Sequence, residues 1–320
     1  MQRIFISIAS FRDPECQHTV VDAFAKAAEP GRIWAGICWQ TDREEDRDCF
    51  LLPLPPQVRQ LHYSVQESQG SCWARAQALS LWREEEFILQ VDSHMRFAPG
   101  WDALLLDTLA RCPTSPAVLA TMPPNYEPPD KLQFVGDDVP LTYVDRLGGP
   151  EELQPVHLIG YFRKRENLGC VGPILSAFIV GNFLFAPAAT FQGVPFDPLI
   201  FFKGQELVYS ARLWTHGHDI YQPDGVVLYH YWASPSRPAP AGMAHYKSVS
   251  PRALIARERV RHLLELEPAR SAEALIDIGK YGMGSRRSLA DYWRFSGIDL
   301  KTHTVEEKAR RARWVKLGPS

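Results

Sequence analysis

An α/β fold, with a mostly parallel sheet flanked by helices and a helical C-terminal extension, is what this sequence predicts. Two observations carry that expectation. Apolar, strand-like runs alternate with helix-like stretches over roughly the first 92 residues, the order that builds parallel sheets. The composition, 45% hydrophobic and 22% charged over 320 residues, is an ordinary globular balance that excludes disordered, collagen-like and coiled-coil chains. The length suits one large α/β domain plus an extension, or two domains.

The first strand is Arg3 to Ser10 (RIFISIAS), followed by the polar turn Phe11-Arg12-Asp13-Pro14. Residues 15–28 suit a helix ended by Pro30-Gly31. Ile33 to Gln40 is a second strand, 41–48 a charged loop and Arg59 to Val65 a third strand. Gly70-Ser71 opens a helix expected to run to about Glu86. Phe87 to Val91 is a fourth strand whose C-terminal edge is Asp92-Ser93-His94. In such sheets the ligand site lies at the strand C-terminal ends.

Residues 122–172 are rich in Pro, Gly and charge and read as a long loop region over a site. Residues 176–186 return to an apolar strand pattern. A helix from Gly204 to His216 follows, with Leu207, Ser210, Ala211 and Trp214 at i, i+3, i+4, i+7 and Gly217 where a C-cap belongs. Val226 to Trp232 is another strand and 234–242 a Pro/Ala/Ser linker. Ser250-Pro251 is an N-cap and first-turn pair for a helix with Ala256, Val260, Leu263 and Leu264 on one face. The expected division is a domain at 1–240 and a helical, basic extension at 241–320.

The formal net charge of −2 argues against a nucleic-acid binder. Residues 251–320 carry 15 Lys and Arg against 9 Asp and Glu. That local excess reads either as a solvated helical face or as a peripheral contact with an anionic partner or membrane surface. No run of about 18 apolar residues occurs, so no transmembrane helix is expected. The first ten residues lack a signal-peptide pattern, and the six cysteines never form CxxC. Together these point to a cytoplasmic protein with free thiols.

Asp92-Ser93-His94 is the sharpest chemical signal. Asp-x-His at the end of an apolar strand places two ligands on one side of an extended segment. A carboxylate with an imidazole suits Mn²⁺ or another borderline divalent ion, which bridges and neutralises a diphosphate. A strand-end Asp making turn hydrogen bonds beside an unrelated His is the plainer alternative. His230 stands at a second strand end, either as a third ligand or as a half-buried histidine among aromatics, and 138 residues of separation prevent spacing alone from pairing it with Asp92. Gly204-Gln205-Glu206 opens a helix, where Glu206 is either a capping carboxylate or an acceptor for sugar hydroxyls. Gly181-Asn182 follows an apolar strand and allows close backbone approach to a ligand, or simply a bulge. Arg75, early in the helix after Gly70-Ser71, suits phosphate recognition or a surface ion pair. No GxGxxG, P-loop, GxSxG or HExxH pattern occurs.

Taken in order, the stretches Ile4-Phe5-Ile6-Ser7-Ile8-Ala9-Ser10-Phe11-Arg12-Asp13-Pro14-Glu15-Cys16, Trp73-Ala74-Arg75, Leu89 to Phe97 with Gly100-Trp101-Asp102, Val194-Pro195-Phe196-Asp197-Pro198, Gly204-Gln205-Glu206, Arg212 to Gly217 and Tyr229-His230-Tyr231 resemble one family. They are similar to the polypeptide α-N-acetylglucosaminyltransferases, retaining GT-A enzymes whose cytosolic protist members modify a hydroxyproline of a ubiquitin-ligase subunit. Asp-Ser-His and Gly-x-Glu…Arg-x-Trp also resemble the mucin-type polypeptide N-acetylgalactosaminyltransferases.

The resemblance implies a GT-A, Rossmann-like sheet and transfer of GlcNAc from UDP-GlcNAc to a hydroxyl acceptor of protein or glycan type. It implies that Asp92, His94 and His230 bind Mn²⁺ (or Mg²⁺) and that Ser93 passes the ribose. Arg12 and Asp13 would face the uridine, and Arg75 would lie near the nucleotide. Gly181, Asn182 and Glu206 would shape the sugar pocket, with Glu206 and Asn182 as its catalytic pair. The chain departs from the family's Gly-Glu-Glu at Gln205 and carries Asn182 where relatives often have a small residue. Other readings are transfer of another UDP-hexose to a glycan, lipid-linked or small-molecule acceptor, and a degenerate domain that only binds nucleotide-sugar.

Overall fold

The computed structural model describes residues 2–133, 138–149, 152–169, 171–233 and 250–315. The expected linker at 234–242 lies outside the described residues.

Strands β1 (Ile4–Phe11), β2 (Ile33–Thr41), β3 (Val58–Ser64) and β4 (Phe87–Asp92) all run parallel, in the order β3-β2-β1-β4. Helices α1 (Glu15–Lys26) and α2 (Ser71–Leu79) make the crossovers. Alternation along β1 explains the layering. Ile4, Ile6 and Ile8 point to a core shared with Cys16, Val20, Ala23 and Phe24 of α1, whereas Phe5 packs on the opposite face. There Gly36 is obligatory, because a Cβ would lie 2.4 Å from the Phe5 ring. The α1 face is completed by α3 (Trp101–Ala110) through Trp101 and Leu105.

Helix α2 stops at Leu79 rather than near Glu86. The charged tail of the expected helix is recruited elsewhere. Glu85 pairs with Arg59 of β3 at 2.7 Å, and Glu86 accepts the Arg3 amide at 2.8 Å. These side chains tie the turn to the sheet in place of another helical turn.

After β4 come β5 (Met95–Phe97), β6 (Ala117–Leu119), and the short β7 (Tyr126–Glu127) and β8 (Lys131–Leu132). The region 122–172 is not simply a loop. It contains a long antiparallel hairpin of β9 (Asp138–Leu147) and β10 (Val156–Lys164), with an irregularity between His157 and Leu158. Proline and glycine density hid it, although Val139, Leu141, Val144 and Val156 are buried against the second half of the chain. The apolar run 176–186 is likewise broken, into β11 (Ile174–Ser176) and β12 (Phe183–Pro187). Helices α4 (Ala188–Gly193) and α5 (Gln205–Thr215) follow, then β13 (Asp219–Gln222) and β14 (Leu228–His230). The expected strand 226–232 is ordered as a ladder only over these last three residues. The eight-stranded sheet reads β11-β13-β6-β12-β4-β1-β2-β3, with β12 antiparallel to both neighbours.

Helix α5 closes as the sequence predicts. Gly217 has φ 90°, its amide bonds Trp214 O at 2.9 Å, and His218 N bonds Leu213 O at 2.9 Å. This is a Schellman ending, in which glycine tolerates the left-handed conformation. Helix α6 (Pro251–Leu263) is capped by Ser250, whose side chain accepts from Ala253 N. The remaining elements are α7 (Leu289–Ser296), the small pair β15 (Ile298–Asp299) and β16 (Thr304–Val305), and α8 (Glu307–Arg310). Val260 and Leu263 of α6, with Tyr292 and Phe295 of α7, share one core with α5 and the β9–β10 hairpin. No helix among the described residues is long and apolar enough to cross a membrane. Cys16, Cys38, Cys49, Cys72 and Cys112 form no disulfide among the described residues.

Asp102 at the start of α3 anchors the end of α1. Its carboxylate accepts Ala28 N at 2.6 Å and Glu29 N at 3.1 Å, and pairs with Arg32 at 2.7 Å. Burial opposes its charge, but these donors outweigh burial and hold its pKa below the ordinary value. Asp102→Ala is expected to cost about 3 kcal/mol, the range for breaking a buried ion pair. Because the folded pKa is depressed, that contribution is complete above the unfolded value of about 4 and is lost as pH falls below it. Urea unfolding of both proteins at pH 7 and pH 3 checks this: the gap should narrow at pH 3.

Candidate functional site

The parallel strands β1, β2, β3 and β4 end on one edge of the sheet, and Asp92 is the last residue of β4. The chain then turns into β5, and that turn is fastened by α1. Thr19 Oγ1 donates to Ser93 O at 2.7 Å and accepts from Met95 N at 2.8 Å. Glu15 pairs with Arg96 at 2.8 Å, and Asp22 accepts Phe97 N at 2.7 Å. Strand β5 pairs antiparallel with β14 in a register that sets Met95 opposite His230. Pairing of β5 with β14 thus brings together residues that sequence spacing could not.

Asp92, His94 and His230 converge, with one ligand atom from each lying within 4.8 Å of the others. His230 Nε2 lies 3.4 Å from Asp92 Oδ2, and the two imidazole rings meet edge to face at 4.7 Å. One carboxylate and two imidazoles so placed could hold one divalent ion. His94 Nδ1 is 2.6 Å from Asp13 Oδ2, which leaves Nε2 as its ligand nitrogen. Burial opposes the charge on Asp92, but the His230 hydrogen bond and the charge of Arg75 outweigh it and hold its pKa well below the carboxylate range. The carboxylate is therefore held ionised, the form in which it could ligate a cation.

Arg75 is the second hub. Its guanidinium reaches Asp92 Oδ1 at 3.0 Å, Gly181 O at 2.8 Å and Gln205 Oε1 at 2.5 Å. Gly181 is required here, because a Cβ would stand 2.9 Å from both terminal guanidinium nitrogens. The antiparallel pairing of Phe183 with Val91 is what carries Gly181 and Asn182 to the end of β4. Gln90 Nε2 also donates to Gly181 O, at 2.5 Å. Glu206 Oε1 accepts Gly181 N at 2.9 Å. Burial raises the Glu206 pKa against the pull of that amide and of Arg75. Asn182 is buried, and its Oδ1 has no hydrogen-bond partner among the described residues.

Ser93 is buried with its Oγ on Asp13 Oδ2 at 2.5 Å. Arg12 turns away from the Asp92 cluster, in a left-handed conformation at φ 52°, and pairs with Asp46 at 3.0 Å and with Glu45 at 2.5 Å. Eight of the ten singled-out residues (Asp13, Arg75, Gly181, Ser93, Asp92, His94, His230 and Glu206) thus join one network, with Asn182 beside it. Sequence reading missed Gln90, which holds Gly181, and Trp232, whose ring lies 4.1 Å from that of His230 and is half-exposed. A glutamine inside an otherwise apolar strand was the available signal for the first.

A sequence profile described as Glycosyltransferase (GlcNAc) matches residues 3–54 and 50–302. No curated protein matches the chain. Among solved structures, a crystal structure of GalNAc-T7 with UDP, GalNAc and Mn²⁺ superposes with a TM-score of 0.64 at 12% identity, covering 92% of this chain and 57% of that one. The chain thus spans little more than half the length of that relative. Staphylococcus aureus TarS 1–349 in complex with UDP aligns at a TM-score of 0.47 and 14% identity, over 96% of this chain and 76% of that one. TarS 1–349 in complex with UDP-GlcNAc aligns at a TM-score of 0.46 and 14% identity, over 86% of this chain and 69% of that one.

Proposed function

This chain belongs to the GlcNAc glycosyltransferase family, with a GT-A-type α/β fold, and from that premise we propose that it is a retaining transferase that moves GlcNAc from UDP-GlcNAc to a hydroxyl acceptor. The observation that carries the reading is the convergence of Asp92, His94 and His230 at the C-terminal edge of the sheet. One carboxylate and two imidazoles suit Mn²⁺, with Mg²⁺ as the alternative. When bound, the ion would neutralise the charge that develops on the departing diphosphate.

The chain's own residues supply the rest. Asp92, His94 and His230 would hold the ion. Arg75, held by Asp92 through an ion pair and by Gln205 through a neutral hydrogen bond, is suited to face diphosphate oxygens. Glu206 and Asn182 Oδ1 would accept hydrogen bonds from donor-sugar hydroxyls; an orphaned buried acceptor such as Asn182 Oδ1 calls for such a partner. Gly181 keeps the pocket wall close, and Ser93 backs the strand where it passes the ribose. Retention follows from attack on the face the diphosphate leaves. The acceptor oxygen bonds the anomeric carbon, the carbon–phosphate-oxygen bond breaks, and the hydroxyl proton passes to a diphosphate oxygen.

The proposed acceptor is a hydroxyl of protein or glycan type. The proposed setting is cytoplasmic, with a GT-A domain at 1–240 and a basic extension at 241–320 whose charge would allow peripheral contact with an anionic partner or a membrane surface. A donor panel tests the reading. UDP-GlcNAc with Mn²⁺ should be hydrolysed or transferred at least about tenfold faster than UDP-Gal or UDP-Glc, the margin a differential of about 1.4 kcal/mol in transition-state binding gives. Turnover of UDP-Gal or UDP-Glc without UDP-GlcNAc would overturn the donor assignment.

A further inference from the structure

We propose that Asp13 is a positioning residue for the divalent-ion site: it locks His94 in the tautomer that presents the Nε2 lone pair to the ion. The proposal rests on the reading that Asp92, His94 and His230 hold that ion. It departs from the sequence-level expectation that Asp13 faces a uridine.

Asp13 is fully buried, and both of its oxygens are engaged. Oδ1 accepts the Glu15 amide at 3.0 Å at the start of α1. Oδ2 takes Ser93 Oγ at 2.5 Å and His94 Nδ1 at 2.6 Å. An ionised carboxylate only accepts hydrogen bonds, so the contact with His94 requires the proton on Nδ1. A neutral ring with its proton there has its free lone pair on Nε2, the nitrogen left for a ligand. Carboxylates behind ligating histidines set ring orientation and basicity in this way.

The backbone explains how Asp13 reaches this place. Arg12 adopts a left-handed conformation at φ 52°, an unfavourable state for a residue with a long side chain. Its guanidinium is clamped by buried Asp46, and its amide bonds Gln40 O at 3.0 Å. That clamp reverses the chain after β1 and aims the next residue at the end of β4. The Arg-Asp dipeptide is thus a two-part device, in which Arg12 fixes the turn and Asp13 fixes the ligand. His230 has no such support. Its Nδ1 is buried without a hydrogen-bond partner among the described residues, so the effect of Asp13 is specific to His94.

The test uses the full chain labelled with ¹⁵N-histidine, with His94 assigned by its loss in His94→Gln. In chelator-treated protein at pH 8, two-bond ¹H–¹⁵N spectra report the tautomer. Wild type should show Nδ1–H at His94. Asp13→Ala should shift the ring towards Nε2–H and weaken Mn²⁺ binding, followed by electron paramagnetic resonance without nucleotide, by about 10- to 100-fold. Asp13→Asn, whose amide oxygen still accepts a hydrogen bond, should fall between the two and carries the comparison if the alanine variant does not fold. An unchanged His94 tautomer and Mn²⁺ affinity within about twofold of wild type, in a folded variant, overturn the role of Asp13 while leaving the metal site standing. A wild type that binds no Mn²⁺ overturns the metal reading itself and this assignment with it.

Discussion

Asp92→Ala is expected to lower Mn²⁺ affinity at least about 100-fold, more than the loss of any supporting residue, and to reduce turnover to the level seen in chelator. Asp92 is the one carboxylate of the three converging side chains and meets two other members of the site: Arg75 on Oδ1 and His230 on Oδ2. The fold should survive the change. The side chain is 31% exposed at a strand end, outside the apolar core, and Arg75 keeps Gly181 O and Gln205 as partners. Two contacts are at stake, the ion pair with Arg75 and the longer contact with His230, and a charge-assisted hydrogen bond contributes about 1.5–3 kcal/mol, so thermal unfolding should move down by several degrees without losing cooperativity. Mn²⁺ titration beside a thermal melt separates the outcomes. A variant that unfolds would make Asp92 a structural residue.

Glu206→Ala should lower kcat by about 10- to 100-fold, the value of a hydrogen bond to a charged group, while the Kd for UDP stays within about threefold. Glu206 sits in the first turn of α5 and accepts a hydrogen bond from Gly181 N, whose carbonyl is held by Arg75. Its charge is disfavoured by burial, so the carboxylate is held there against a desolvation cost, as a group with a ligand to bind would be. Glu206→Gln, which retains an acceptor oxygen, should recover part of the loss. Equal losses in turnover and UDP affinity would instead put Glu206 beside the nucleotide.

The legible parts of the molecule are those in which local pattern and tertiary role coincide. Buried parallel strands read as apolar runs, so β1, β2 and β4 are visible directly in RIFISIAS, IWAGICWQ and FILQV. Asp-x-His stands out because polar ligands interrupt such a run at its end. The caps of α5 and α6 are visible because Gly217 and Ser250-Pro251 are residues that only those positions favour. What stayed hidden depends on partners far along the chain. The β9–β10 hairpin carries Pro140 and Gly160 inside its strands and packs one face on helices that come later, so its composition reads as loop. His230 meets His94 only through the β5–β14 pairing. The end of α2 is set by Arg59 and Arg3, which draw Glu85 and Glu86 away. Asp13 is adjacent to Arg12 in the chain, yet one side chain serves His94 and the other Asp46, a division that no spacing reveals.

The most direct measurement is calorimetric titration of wild-type protein with UDP-GlcNAc, once in Mn²⁺ and once in chelator. Saturable binding in Mn²⁺ that disappears in chelator is the expected result, and it would establish a metal-dependent donor site at the end of β4. Binding of equal strength in both conditions, or none in either, would contradict the assignment of Asp92, His94 and His230 as the centre of that site.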